Sequence, residues 1–231
     1  MIVVALTGLA RSGKDSVADI LVRDHGFVKM SFAAPLKRMV KNLDPIVGWD
    51  EGCLGCVEAG VEEAQPVYLS DLYDWGWNDD EIKASEYGDE VRRLWQRFGT
   101  DTMRAEQDDY WIEAAKRDLM TMTTDARVVF TDCRFPNEAD MIYTLSVYHE
   151  DINSSVWRIA RPGVELQPGA HVSETHVGLM GEEITIHNDG TLEQLADPVK
   201  DAMGYVTGRG TVGGWVHAGY LTDGGVKFEG E

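Results

Sequence analysis

The chain has 231 residues, enough for one α/β domain with a full hydrophobic core or, as the less favoured alternative, two small domains. Its formal net charge of −19 argues against binding to a nucleic acid polymer, because a phosphate backbone is bound by a basic surface. The three cysteines suggest no disulfide framework. Neither a membrane span nor a secretory signal is recognisable in the sequence. We therefore expect a cytoplasmic protein.

The first apolar segment, Ile2–Thr7, predicts a buried parallel strand. Helical periodicity begins at Lys14 and is ended by Gly26. Between the two, Gly8, Gly13 and Lys14 match the phosphate-binding pattern G-x-x-x-x-G-K. Such a loop points its backbone N–H groups at an anion beside a helix N-terminus, so we expect a phosphate site here.

The loop departs from the general pattern directly after its lysine. Asp15 stands where Ser or Thr is usual, and Ser16 follows one position late. The usual hydroxyl binds Mg²⁺, and either the Asp15 carboxylate or the Ser16 hydroxyl can take that role, which leaves the choice open. The alternative is a chance glycine-rich turn, against which the flanking strand and helix argue.

The next segments predict a strand at Phe27–Phe32 and a short helix at Ala34–Leu43. The region 44–87 differs, since it carries twelve acidic residues and one lysine with weak periodicity. We interpret it as an inserted, partly helical acidic lobe rather than core. Its Cys53 and Cys56 lack the further ligands that a zinc or redox site needs.

Regular patterns resume in the second half of the chain. Two helical stretches, 89–99 and 108–122, are joined by 99–107. Strands are predicted at 127–132, 155–161 and 183–189, with helices over 136–149 and over 191–203, the latter broken or kinked near Pro198. Alternating strands and helices predict a parallel α/β sheet. The glycine-rich residues 204–231 are interpreted as a loosely ordered tail or a small hairpin.

Polar residues follow two of these strands. Asp132 ends a strand and Arg134 comes shortly after it, at the carboxyl edge where open α/β sheets bind ligands. We favour a metal-facing or phosphate-facing role over a solvated salt bridge. Asn188 and Gly190 begin another strand-to-helix turn, which by itself is a weak signal.

Arginines and tryptophans in the helical region allow two interpretations each. Arg92 belongs to a group of three helical arginines that is either an anion clamp or a solvated face. Trp95 and Trp111 are either core residues or a stacking wall for a base. Spacing alone does not decide between these alternatives.

Several separated segments together resemble the phage-type deoxynucleoside monophosphate kinases of the P-loop NMP kinase superfamily. They are RSGKD, APLK, VRRLWQRFGTD followed by YW, TDCR, ARPG with HVSE, and NDGTLEQL, in the order of that family. They cover most of the chain except 44–88 and the tail. An aspartate after the loop lysine is usual in this family, so Asp15 supports the resemblance.

The resemblance implies a three-layer P-loop kinase fold over 1–203, with the lobe 44–87 beside the substrate-binding region, a lid-like loop at 162–180 and a tail at 204–231. It implies ATP- and Mg²⁺-dependent conversion of deoxynucleoside monophosphates to diphosphates. The reaction is expected in the cytoplasm, which is the host cytoplasm if the chain is phage-encoded. Whether the protein forms a homodimer is left open. The alternatives are a kinase for a nucleoside or dephospho-coenzyme A, and a non-catalytic nucleotide-binding module.

The resemblance also assigns roles to individual residues. The expected catalytic residues are Lys14, Asp132, Arg134 and Arg161. The expected ATP-binding residues are Gly8, Arg11, Ser12, Gly13, Lys14, Asp15, Ser16, Asn188 and Gly190, of which Asp15 and Ser16 are candidate metal ligands. The expected acceptor-binding residues are Lys37, Arg92, Gln96, Gly99, Thr100 and Trp111. His171, Ser173 and Glu174 match a motif of the lid-like loop.

Overall fold

The computed structural model describes residues 1–50, 64–166, 172–208, 219–222 and 225–228. The interpretations made for Cys53, Cys56 and His171 lie outside the described residues. At Thr100 and Ser173 only the backbone is described. The chain divides into two compact units, Met1–Phe32 with Ala115–Glu231, and Ala33–Ala114.

In the described residues the strands are β1 (Ile2–Thr7), β2 (Val28–Met30), β3 (Ile46–Asp50), β4 (Gln65–Tyr68), β5 (Arg127–Phe130), β6 (Asn153–Ala160), β7 (Ile184–His187), β8 (Gly219–Thr222) and β9 (Gly225–Phe228). The helices there are α1 (Lys14–His25), α2 (Ala34–Leu43), α3 (Leu69–Asp74), α4 (Asp79–Ala84), α5 (Gly88–Gln96), a π-helix (Arg97–Arg104), α6 (Tyr110–Met120), α7 (Pro136–Tyr148), α8 (Val172–Thr175) and α9 (Leu192–Gly208). None of these helices combines the length and apolar character needed to cross a membrane.

The first unit is built on a five-stranded sheet in the order β2-β5-β1-β6-β7. Every neighbouring pair is parallel, and Val3 in the central strand lies opposite Val128 on one side and Ser154 on the other. Residues Val3 to Leu6 are fully buried, as expected for a central strand covered by helices on both faces. The predicted parallel α/β architecture is confirmed.

Helix α9 corrects two expectations. The helix runs unbroken through Pro198 to Gly208, so of the two alternatives given there, a break or a kink, the break was wrong. It also extends beyond residue 203, where the tail was expected to begin, and Val206 is only 1% exposed in the core. A spaced set of buried residues on one face, Leu195, Val199, Ala202, Met203 and Val206, anchors the helix against the sheet and offsets the cost of the proline. Further on, β8 and β9 form an antiparallel hairpin, the second alternative given for the tail.

The second unit has a core of its own, and the region 44–87 contributes to it. Strands β3 and β4 form an antiparallel hairpin that precedes α3 and α4. The segment supplies Val47, Val67, Leu69, Leu72 and Ile82 to a cluster that also contains Val91, Trp95 and Trp111. The expectation that this region contributes no core residues was therefore wrong, whereas its partly helical character is confirmed by α3 and α4. Its elements are four to six residues long, too short for periodicity to reveal their apolar faces.

A second difference concerns the connection at 99–107. Helix α5 passes directly into the π-helix Arg97–Arg104 instead of ending at Gly99. The buried indole N–H of Trp111 donates to the Gly99 carbonyl oxygen at 3.0 Å. A Cβ at residue 99 would lie 2.7 Å from Leu36 Cδ2, so the glycine lets α2 approach the widened helix. Both Trp95 and Trp111 are at least nine-tenths buried. Of the two alternatives given for them, core residues or a stacking wall for a base, the burial supports the first.

Candidate active site

Three residues of the loop between β1 and α1 have positive φ angles, a backbone region that favours glycine. Gly8, Arg11 and Gly13 have φ angles of 146°, 64° and 102°. A Cβ at Gly8 would lie 2.5 Å from the Ile159 carbonyl oxygen, and one at Gly13 would lie 2.2 Å from Asn188 Nδ2. Gly8 is thus required by its φ angle and by the nearby backbone, whereas a larger residue at 13 would be strained at its φ angle and would displace the Asn188 amide. The loop ends as the N-terminus of α1.

Lys14 is folded back into this loop. Its Nζ donates hydrogen bonds to the carbonyl oxygens of Gly8 and Leu9, both at 2.8 Å. Burial lowers its pKa and the charge of Arg134 lowers it further, against the opposing charges of Asp15, Glu174 and Asp132. The lysine is therefore a partly desolvated cation held at the loop, which a polyphosphate could draw outward.

Asn188 fastens the loop to the sheet. Its side-chain amide donates to the Ser12 carbonyl oxygen at 2.9 Å, and its backbone N–H donates to Ala160 at 2.7 Å. The sequence indicated Asn188 only as a neighbour of adenine, so this positioning contact was missed. Ser12 itself is 1% exposed, and its hydroxyl has no hydrogen-bond partner among the described residues.

The candidate metal ligands lie in the first turn of α1. Asp15 is exposed and Ser16 is half-buried. Carboxylate and hydroxyl oxygens are ligands that suit Mg²⁺, which needs few protein ligands because it keeps several waters. The residues present therefore fit Mg²⁺ delivered with a nucleotide.

Asp132 joins the carboxyl ends of two strands. Its Oδ2 accepts a hydrogen bond from Ser31 Oγ at 2.6 Å, and its Oδ1 accepts one from the Phe32 N–H at 2.8 Å. The carboxylate thereby ties the chain after β2 to the chain after β5. Its predicted catalytic role stays a prediction, since these contacts show a positioning function.

Arg134 lies on a turn that Glu138 holds in place. The Glu138 side chain is 2% exposed and accepts hydrogen bonds from the backbone N–H groups of Arg134, at 2.7 Å, and Phe135, at 3.1 Å. The Arg134 side chain itself is exposed. Sequence reasoning missed Glu138, although Pro136 followed by an acidic residue in the first helical turn is a recognisable signal.

Arg161 and the following loop lie at the end of β6. Arg161 is exposed, and its carbonyl oxygen accepts from Val164 N–H at 3.2 Å in a turn where Gly163 has a φ of 76°. Further along the loop, the His176 ring lies 5.6 Å from that of Phe135. This ring contact connects the described end of the lid-like loop to the turn that carries Arg134.

The expected acceptor-binding residues fall in the second unit and differ in accessibility. Lys37 Nζ donates to Asp79 Oδ2 at 2.7 Å. Arg92 is exposed and donates to Asp89 at 3.1 Å and to the Lys83 carbonyl oxygen at 2.8 Å. Gln96 is exposed, whereas Gly99 and Trp111 are buried. Lys37, Arg92 and Gln96 therefore have side chains that a ligand can reach, while Gly99 and Trp111 belong to the supporting core.

Two known proteins are similar to this chain over most of its length. A protein of Acanthamoeba polyphaga mimivirus, provisionally assigned as a deoxynucleotide monophosphate kinase, is 28% identical over 209 residues, which cover 84% of this chain and 92% of the relative. The deoxynucleotide monophosphate kinase of Enterobacteria phage T4 is 23% identical over 246 aligned positions, which cover 88% of this chain and 99% of that protein.

A family model, deoxynucleotide monophosphate kinase, matches residues 72–199. This match spans more than half of the chain. It begins inside the acidic region, so the family resemblance extends to residues 72–88, which sequence reasoning had left outside it. The chain belongs to the deoxynucleotide monophosphate kinase family.

Proposed function

We propose that this kinase transfers the γ-phosphate of ATP, with Mg²⁺, to a deoxynucleoside monophosphate and releases the diphosphate and ADP. The observation that carries the proposal is the loop of the first unit. There Lys14 is held by two carbonyl oxygens at a helix N-terminus, in a chain of the deoxynucleotide monophosphate kinase family. The two carbonyl oxygens carry no formal charge, and a polyphosphate would supply a negative charge for the Lys14 ammonium group.

The donor nucleotide is proposed to bind at Gly8–Ser16. Lys14 would exchange its carbonyl contacts for phosphate oxygens, whose negative charge favours the protonated amine. Asp15 or Ser16 would hold Mg²⁺, which when bound neutralises phosphate charge. Asn188 and Gly190 would line the adenine side while Asn188 keeps the loop in place.

The acceptor monophosphate is proposed to bind to the second unit. Lys37 and Arg92 are the cations expected to contact its phosphate, and Gln96 and Thr100 are the expected polar contacts. Gly99 and Trp111 support this surface from the core through their mutual hydrogen bond. A phosphate-bearing acceptor suits a cationic site better than an uncharged nucleoside does.

Phosphoryl transfer depends mainly on positioning and charge stabilisation, with little covalent work for the protein. Arg134 and Arg161 follow β5 and β6 and carry exposed guanidinium groups, so they are proposed to stabilise the transferred group. Asp132 is proposed to hold the chain that follows β5, from which Arg134 extends, through its hydrogen bonds from Ser31 and Phe32. The lid-like loop 162–180 would exclude water and so limit ATP hydrolysis.

The test is ADP release from MgATP, measured with a coupled assay against a panel of deoxynucleoside monophosphates, ribonucleoside monophosphates and nucleosides. We expect release that depends on a deoxynucleoside monophosphate. Background release with every monophosphate would overturn the proposal. Release with nucleosides alone would assign the chain a different acceptor.

A further inference from the structure

Asp79, at the start of α4, is the centre of a small polar cluster in the second unit. Its Oδ2 accepts a hydrogen bond from Lys37 Nζ at 2.7 Å, and its Oδ1 accepts one from the Tyr73 hydroxyl at 2.9 Å. The Lys37 and Asp79 side chains are 28% and 33% exposed. Most of each side chain is thus withdrawn from solvent, and the remainder is accessible.

The Lys37 ammonium has a second contact that limits its movement. Its Nζ lies 5.1 Å from the centroid of the Trp95 ring, within the range of a cation–π interaction. An ammonium group has three N–H donors, and the Asp79 hydrogen bond uses one of them. Lys37 is therefore held between a carboxylate and an indole ring while donors remain for an anion.

Asp79 is itself held from two directions. Lys41, one helical turn after Lys37, places its Nζ 3.9 Å from the centroid of the Tyr73 ring and so restrains the tyrosine that donates to Asp79. On the other side, the Asn78 side chain accepts from Asp80 N–H and Glu81 N–H and fixes the first turn of α4. Burial raises the pKa of Asp79, but the hydrogen bonds and charge of Lys37, with the Tyr73 hydroxyl, outweigh it and leave the pKa below its ordinary value. The carboxylate is ionised at neutral pH.

We propose that Asp79 is a positioning residue that orders Lys37 for the phosphate of the acceptor nucleotide. This inference rests on the proposed function, in which Lys37 contacts that phosphate. A free lysine side chain loses rotamer entropy when it binds an anion, and a lysine already ordered by Asp79 and Trp95 loses less. The region 44–87 thus contributes to acceptor affinity through a residue that does not itself touch the acceptor.

The test compares Asp79→Asn, Asp79→Glu and Tyr73→Phe with the wild-type enzyme. The matched control is Asp80→Asn, which breaks the Asp80–Lys83 ion pair of equal length, 2.7 Å, at a side chain that is 89% exposed. The measurements are KM for the deoxynucleoside monophosphate, KM for ATP, kcat and Tm, together with calorimetric binding of the monophosphate alone.

We expect Asp79→Asn to raise KM and Kd for the monophosphate about tenfold, through the loss of preorganisation, with kcat within about twofold and KM for ATP unchanged. Asp79→Glu should recover most of the affinity, Tyr73→Phe should cause a smaller rise, and Asp80→Asn should cause none. An unchanged or lower KM for the monophosphate in Asp79→Asn would overturn the positioning role, as would an equal effect in Asp80→Asn. If Asp79→Asn does not fold, an unchanged KM and Kd in Tyr73→Phe overturn it instead. A wild-type enzyme without monophosphate-dependent ADP release would contradict the proposed function itself, an outcome separate from these.

Discussion

The side-chain amide of Asn188 lies where a Cβ at Gly13 would be, so any residue larger than glycine at position 13 would collide with it. The amide donates to Ser12 O at 2.9 Å, and its nitrogen lies 2.2 Å from the place that a Cβ on residue 13 would take. One side chain thus closes the loop by a hydrogen bond and at the same time requires a glycine next to that bond.

Gly13→Ala is expected to destabilise the protein by about 2–3 kcal/mol, from a positive φ of 102° and from the contact with Asn188. Asn188→Ala removes this contact, so Gly13→Ala should destabilise the Asn188→Ala variant less than it destabilises the wild-type protein. Urea unfolding of the two single variants and the double variant measures this coupling. If the free-energy changes of the two single variants add up to that of the double variant, the proposed contact between residues 13 and 188 is contradicted.

The control for the backbone part of this effect is Gly26→Ala. Gly26 also has a positive φ, 69°, but a Cβ there meets no atom within 4 Å. Its replacement should cost about 1 kcal/mol and should not depend on residue 188. Coupling between Gly26→Ala and Asn188→Ala would mean that the measured coupling at residue 13 is not local.

Lys14→Met is expected to lower kcat by at least about 10²–10³-fold, because the cation proposed to act on the transferred phosphate is lost. Its hydrogen bonds join only loop carbonyls, so Tm should change by a few degrees at most. Lys29→Met is the control, since it breaks the exposed Lys29–Asp19 ion pair in the same unit and should leave kcat unchanged. Turnover of Lys14→Met above about a tenth of wild type would show that the site is misplaced.

The sequence predicted the first unit more completely than the second. In the first unit, strand β1 and helix α1 were predicted to within a residue, because a continuous apolar run and a Gly-rich loop mark their boundaries. In the second unit, α2 was predicted as closely, because Pro35 marks its first turn. The region 44–87 was misinterpreted because short elements bury residues that acidic neighbours separate in sequence. Tertiary packing decides such segments, and no local pattern reports it.

The sequence likewise indicated some residues of the candidate site but not the contacts between them. Gly8, Gly13 and Lys14 could be proposed from the sequence because one contiguous motif contains all three residues of the candidate loop. The hydrogen bonds of Asn188 to Ser12 and of Asp79 to Lys37 join residues 176 and 42 positions apart, which spacing does not reveal. For Trp111, only the fold shows that the indole is buried and hydrogen-bonded to Gly99.

Asp79 gives a pH dependence of stability with a definite sign. Its pKa is lower in the folded protein than the ordinary value of 3.8, so its contribution is present above that value and is lost as pH falls through the lowered pKa. The free energy of unfolding of Asp79→Asn should therefore lie below that of wild type at neutral pH. The difference should shrink towards zero in acid, as urea unfolding at several pH values will measure. A difference that is constant with pH would exclude the charged hydrogen bonds as its cause.

Trp111→Phe is expected to lower the free energy of unfolding by about 2 kcal/mol or more, because the buried Gly99 carbonyl loses its donor and the smaller ring leaves a cavity. KM for the monophosphate should change less than about threefold if Trp111 acts from the core. Trp75→Phe, at a side chain that is 52% exposed, is the control and should cost under about 0.5 kcal/mol. A tenfold rise in KM without loss of stability would instead assign Trp111 a direct contact with the acceptor.

Val206→Ala tests where the folded domain ends. Val206 is 1% exposed and belongs to the same cluster as Leu21 and Val199, although it lies in the segment that its glycine content marked as tail. Removing its two methyl groups should lower the free energy of unfolding by about 1–3 kcal/mol, from lost burial and the cavity left behind. Val147→Ala in α7 is the control, since that side chain is 69% exposed and should change stability by less than about 0.5 kcal/mol. Neither Val206 nor Val147 is proposed to contact a nucleotide, so kcat measured well below Tm should stay at the wild-type value in both variants. Equal stability of the two variants would place residue 206 outside the cooperative unit and restore the boundary at residue 203.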